Sequence, residues 1–122
     1  MKKILVVEDD HILALVETKF ISKMGFDVVA AVATGEAAIA AVKEFSPDII
    51  VMDVRIEGNL DGVHTMLKIQ EFSQVPVIYL SGNSEMAMLE RAKETNTKGF
   101  LVKPVNYKEL ETLLKSVLVA TA

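Results

Sequence analysis

Ile49-Ile50-Val51-Met52-Asp53 is the stretch whose reading decides the fold. Four apolar residues in a row, preceded by Ser46-Pro47-Asp48 and closed by a carboxylate, read as a strand buried on both faces, as inside a parallel sheet. An Asp at the C-terminal end of such a strand stands where open α/β sheets bind ligands, in the crevice outside the strand ends.

Outward from this strand the chain alternates strand and helix. On the N-terminal side, Ile4 to Val7 is a second continuous apolar run and predicts a strand. Asp10 caps a helix whose apolar stripe is Leu13, Val16, Phe20 and Met24, with Gly25 ending it. Asp27 to Ala33 is the next strand, and Thr34 caps a helix with Ala38, Ile39, Val42 and Phe45 on its apolar face. Beyond Asp53, a loop from Val54 to Leu60 contains Gly58-Asn59, and Asp61 caps a helix carrying Val63, Met66, Leu67 and Ile69. Pro76 opens a strand from Val77 to Leu80, and Ser84 starts a helix bearing Met86, Met88, Leu89 and Ala92. Gly99 leads into a last strand, Phe100 to Val102, stopped by Lys103-Pro104. Asn106, with Glu109 three residues on, forms a capping-box pattern before Leu110, Leu113, Leu114, Val117 and Leu118. Five strands each followed by a helix predict an α/β, doubly wound parallel sheet with helices on both faces.

Composition narrows the function. A chain of 122 residues, 51% apolar and 25% charged, predicts one globular domain over residues 1–122, with no effector domain. The absence of Cys excludes disulfides and thiolate metal sites, and two His exclude a multi-histidine zinc site. A net charge of −4 gives no electrostatic reason to expect nucleic-acid binding. Met1-Lys2-Lys3 followed by Ile4 to Val7 imitates a secretory signal, but Glu8-Asp9-Asp10 cuts the apolar run short. No apolar stretch suits a membrane span, so the expected location is cytoplasmic.

What each predicted strand presents at its C-terminal edge is the informative pattern. The first offers Glu8-Asp9-Asp10, the third Asp53, the fourth Ser81-Gly82 and the fifth Lys103-Pro104. Singly these are ordinary turns and caps; jointly they bring carboxylates, a hydroxyl and an ammonium to one crevice. Converging carboxylates repel one another, and a hard divalent cation resolves the conflict: Mg²⁺, with Mn²⁺ as an alternative, suits such oxygen ligands. The ligands expected are Asp9 and Asp53, with Glu8 acting directly or through water. Asp53 is then placed as a nucleophile toward a phosphoryl group, with Lys103 and Ser81 serving its oxygens. His11 and His64 read as surface helix residues, and the scattered Met residues as core.

From Ile4 to about Leu118 the chain resembles the receiver domains of two-component response regulators. The resemblance rests on Ile4 through Asp10, Ile49 to Asp53, Asp61-Gly62, Val77 to Ser81, and Gly99 through Pro104, in that order and spacing. It implies a flavodoxin-like (βα)₅ fold with strand order 2-1-3-4-5. It implies Asp53 as phosphoacceptor, Glu8 and Asp9 as the acidic metal pocket, and the Arg55 backbone carbonyl as a further metal ligand. Ser81 would be the switch hydroxyl, Phe100 the switch aromatic that turns into the space Ser81 vacates, and Lys103 the lysine, with Lys103-Pro104 cis. Implied too is a signalling switch rather than a turnover enzyme. Its partners would be a sensor histidine kinase or histidine phosphotransfer protein and a downstream protein or second copy, with no direct nucleic acid and no membrane. The chain departs from the family in a Val54–Leu60 loop one residue longer and lacking Pro-Gly, in Ser81 for Thr, in Gly82 for Ala, and in Phe100 for Tyr.

Two rivals fit less well. An Asp-nucleophile phosphatase of the haloacid-dehalogenase type wants an acid two residues after the nucleophile, where this chain has Arg55. A flavodoxin-like cofactor binder needs a phosphate loop after the first strand, where Glu8-Asp9-Asp10 would repel a phosphate.

Overall fold

A computed structural model describes residues 1–56, 58–82 and 90–119. Its sheet has five strands, β1 (Lys3–Val7), β2 (Asp27–Val32), β3 (Ile49–Asp53), β4 (Val77–Ser81) and β5 (Thr97–Val102). Every pairing is parallel and the order is β2-β1-β3-β4-β5. The helices are α1 (His11–Lys23), α2 (Gly35–Phe45), α3 (Gly62–Ile69) and a C-terminal α4 (Tyr107–Leu118). The helix expected from Ser84 lies largely outside the described residues; residues 90–92 are helical and Ala92 is buried.

Alternation along the strands explains why their apolar runs are unbroken. Leu5, Val7, Ile50, Met52, Val77 and Tyr79 face one core with α2 and α3, around Ala38, Val42, Val63, Met66 and Ile69. Ile4, Val6, Ile49, Val51, Ile78 and Leu80 face the other with α1 and α4, around Ile21, Leu110, Leu114 and Leu118. A strand covered on both faces keeps no polar side, so only its end can carry a charge.

The caps behave as their chemistry requires. Asp10 accepts from the Ile12 and Leu13 N–H groups, Thr34 from Ala37, Asp61 from His64, and Asn106 from Lys108 and Glu109. Each satisfies backbone donors that a helix start leaves open.

Two expectations need correction. The stripe of Leu13, Val16, Phe20 and Met24 is not the buried face of α1: Leu13 and Phe20 are exposed, and Glu17 and Ile21 are buried instead. The helix is rotated because its core face must continue through Ile21 onto the sheet, and Phe20 turns outward to stack on Tyr107 at 4.2 Å. Secondly, β5 begins at Thr97 rather than Phe100, because Thr97 pairs with Val77 and Gly99 with Ile78. Gly99 is a strand residue whose lack of a side chain admits Leu113 of α4, which would crowd any Cβ there.

Candidate functional site

The C-terminal ends of β1, β3, β4 and β5 converge on one pocket. Asp53 is the last residue of β3 and 4% exposed, while Glu8 follows β1 and is held by its N–H donating to the Val32 carbonyl at 2.9 Å. Carboxylate oxygens of Glu8, Asp9 and Asp53 lie within 4.8 Å of one another. Lys103, just past β5, reaches between them: its Nζ is 2.8 Å from Asp53 Oδ2 and 3.2 Å from Glu8 Oε1. Its own N–H donates to the Ser81 carbonyl at 2.8 Å, tying the ends of β4 and β5 together, and the Lys103-Pro104 peptide is cis.

The described residues just after Asp53 are anchored. The Arg55 N–H donates to Asp53 Oδ1 at 3.3 Å, and the Arg55 side chain is exposed. Val54 and Ile56 are buried, with the Val54 N–H donating to Leu80 and its carbonyl accepting from Gly62 at 2.7 Å. Gly62 packs so closely that an added Cβ would sit 2.5 Å from the Asp53 carbonyl oxygen. The start of α3 therefore presses directly on the end of β3.

Three carboxylates facing one ammonium leave the pocket short of positive charge. Burial pushes the Asp53 carboxyl up to about 7, with Glu8 reinforcing the shift and the Lys103 ammonium opposing it. Burial would also raise Glu8, but the neighbouring Asp53 and Glu17 carboxyls, the Asp10 N–H and the Lys103 ammonium hold it below the ordinary range. Asp9 is raised by burial and by Glu8. Burial works against the Lys103 ammonium, yet Asp53 and Glu8 keep its pKa above the usual lysine value. The donors are all hard oxygens, two of them buried and Asp9 partly so, with excess negative charge, and they fit a small divalent cation.

Ser81, at the end of β4, is 1% exposed, and its hydroxyl has no hydrogen-bond partner among the described residues. A buried hydroxyl left without a partner is costly unless a ligand supplies one. Phe100 is half-buried on β5, opposite Tyr79. His11 and His64 are exposed, the latter beside its cap Asp61.

One site residue escaped the sequence reading. Glu17 of α1 is 1% exposed, and its Oε1 has no hydrogen-bond partner among the described residues; burial, and then the Glu8 charge, push its carboxyl up to about 9. The signal was present, since Glu17 stands four residues from both Leu13 and Ile21 and so shares the core face with Ile21. A lone acid within a helix reads as solvated until the helix's rotation is known.

Comparison with known proteins follows the same outline. The family model for the response regulator receiver domain matches residues 4–115. The chain is 35% identical over 118 residues to a probable transcriptional regulator, ycf27, of Porphyridium aerugineum, covering 96% of this chain and 48% of that protein. It is 31% identical over 103 residues to the chemotaxis protein CheY of Bacillus subtilis, covering 84% and 85%. The chain thus spans about half the length of the transcriptional regulators it matches, and most of the chemotaxis protein. Among solved structures, it superimposes with a TM-score of 0.86 and 27% identity on the receiver domain of a sensor histidine kinase from Pseudomonas aeruginosa PAO1, covering 98% of both chains. In that structure a magnesium ion is coordinated in the active-site cleft.

Proposed function

Because this chain belongs to the family of response regulator receiver domains of two-component systems, we propose that it is a phosphoacceptor switch whose acceptor is Asp53. The donor is the phosphohistidine of a sensor histidine kinase or of a histidine phosphotransfer protein. In the transfer, an Asp53 carboxylate oxygen forms a bond to phosphorus while the phosphorus–nitrogen bond to the imidazole breaks. The leaving imidazole takes the electron pair and then a proton from solvent.

The observation that carries this reading is the position of Lys103 Nζ, 2.8 Å from Asp53, with the Glu8 and Asp9 carboxylates on the same pocket. Glu8, Asp9 and Asp53, with the Arg55 carbonyl, are the groups that would hold Mg²⁺, which when bound neutralises carboxylate and phosphoryl oxygens. Lys103 holds Asp53 in place before transfer and is at hand for a phosphoryl oxygen afterwards. The aspartyl phosphate carries roughly two negative charges and three acceptor oxygens. Ser81, with its unpartnered hydroxyl, is placed to donate to one of them. Its movement would be passed to Phe100 and to the surface formed by β5 and α4.

Exposed Ile12, Leu13 and Leu15 on α1, the helix that follows the acidic pocket, offer the donor protein an apolar footing. Such a unit works in the cytoplasm as a stoichiometric switch rather than a turnover enzyme. No acid stands two residues after Asp53, where a dehalogenase-type phosphatase would need one; Arg55 is there instead. Acetyl phosphate with Mg²⁺ is expected to label the protein once, and Asp53→Asn is expected to abolish the label. Undiminished labelling of that variant would overturn the assignment.

A further inference from the structure

We infer that Tyr79 is a positioning residue for the switch aromatic: its buried ring, tethered through Thr95, holds Phe100 on the inner face of β5 before any phosphoryl group arrives. The inference rests on the receiver reading above and adds to it the element that fixes where the switch starts.

Tyr79 is the one aromatic residue of β4, among Val77, Ile78, Leu80 and Ser81, and it is fully buried. In the parallel register it lies beside Phe100, and the two rings stack at 5.7 Å with planes 12° apart. Phe100 packs with the same core cluster that encloses Tyr79. The Tyr79 ring is itself held at its far end. The Thr95 hydroxyl gives its proton to the Ala92 carbonyl, so across the 2.8 Å between Thr95 Oγ1 and the phenol oxygen Tyr79 must be the donor. Burial pushes the phenol up to about 12, so it keeps that proton at any working pH.

Residues two apart on a strand share a face, so Tyr79 and Ser81 lie in a row on the side of β4 that Phe100 adjoins. Moving Phe100 outward would break the stack and expose a ring with no hydroxyl to solvate. The ring thus begins inside, and the phosphoryl signal acts on how firmly it is held. This differs from an aromatic that starts outside and turns in.

The resting protein tests this without any phosphoryl donor. Nuclear Overhauser contacts between the Tyr79 and Phe100 rings are expected in the wild type, together with ring-current-shifted Phe100 signals. In Tyr79→Leu the inward-to-outward ratio of Phe100 should fall roughly 2- to 10-fold, the range an aromatic pair is worth. Tyr79→Phe keeps the ring and should restore the wild-type Phe100 signals. Beryllofluoride, a phosphoryl mimic, should shift Phe100 and Val102 more in Tyr79→Leu than in the wild type, because the ring then has farther to travel. Acetyl phosphate labelling should stay within about twofold in all three proteins, as expected for a site apart from the pocket.

Absence of ring–ring contacts in the wild type would overturn the inference whether or not Tyr79→Leu folds. So would Phe100 signals that are the same in folded Tyr79→Leu and the wild type. A wild-type protein that shows the ring contacts but takes no label at Asp53 would instead overturn the receiver reading and leave the resting position of Phe100 standing.

Discussion

The two edges of the sheet handle polar groups in opposite ways. At the N-terminal edge Lys3 and Asn96 each have partners of their own. The Lys3 N–H donates to Asp48 at 2.7 Å and its ammonium to the Phe45 carbonyl at 2.6 Å. The Asn96 N–H meets Gln70, and its amide donates to the Gln74 carbonyl at 2.7 Å. At the C-terminal edge, three carboxylates compete for one ammonium, a fourth acid is buried beside them, and the Ser81 hydroxyl lacks a partner among the described residues. The lower edge is arranged for stability. The upper edge keeps unmet electrostatic demand in place, which a cation and a phosphoryl group can meet.

Removing the half-buried ammonium that bridges Glu8 and Asp53 should break the contrast most sharply. Lys103→Met is expected to slow acetyl phosphate labelling roughly 100-fold, the scale of losing one charge-stabilising donor. It should also destabilise the metal-free protein by about 2–3 kcal/mol at pH 8, because Glu8 and Asp53 are left facing each other. Labelling at the wild-type rate would show that Lys103 has no part in the transfer.

Proton competition gives the next effect. Asp53 and Glu17 have folded pKa values of about 7 and about 9, both above the ordinary carboxyl range. A raised carboxyl favours the folded state while it keeps its proton. That contribution is complete below about pH 4 and is lost as pH rises through the folded values. Metal-free thermal stability should therefore decline from about pH 4 to about pH 9, more steeply below pH 7, where both carboxyls contribute, than above it, where only Glu17 does. On the proposed ligand set Mg²⁺ would displace the Asp53 proton, so its apparent affinity should climb by up to about tenfold per pH unit below 7 and then level off. Midpoints measured against Mg²⁺ at several pH values would show this; a flat response would mean the carboxylates are ionised throughout.

Smaller effects sharpen the comparison from each side. Gly62→Ala places a methyl against the Asp53 carbonyl. It should cost about 2 kcal/mol of stability in a denaturant titration, as overpacking does, and should slow labelling as well. Asn96→Ala, at the lower edge, should cost about 1 kcal/mol and leave labelling unchanged. A labelling defect in Asn96→Ala would mean the two edges are coupled.

How much was legible in the chain depended on range. Unbroken apolar runs ending in charge, as at Ile49–Asp53, identify buried parallel strands, because such a strand can be polar only at its end. Caps such as Asp10, Thr34, Asp61 and Asn106 were readable because a cap acts within three residues of itself. The order of Glu8, Asp53, Ser81 and Lys103 along the chain was enough to predict that they meet. The topology of a parallel sheet sends every strand's C-terminal end to one edge.

Tertiary packing decided the rest. The rotation of α1, which buries Glu17 and exposes Phe20, depends on which stripe fits the sheet, and several stripes of this helix are apolar. Burial and neighbouring charge, rather than residue type, raise the Asp53 and Glu17 carboxyls. The stack of Tyr79 on Phe100 joins residues that only strand register brings together. Local interactions are written residue by residue along the chain, whereas rotation, burial and register come from which surfaces fit, and only the folded molecule resolves them.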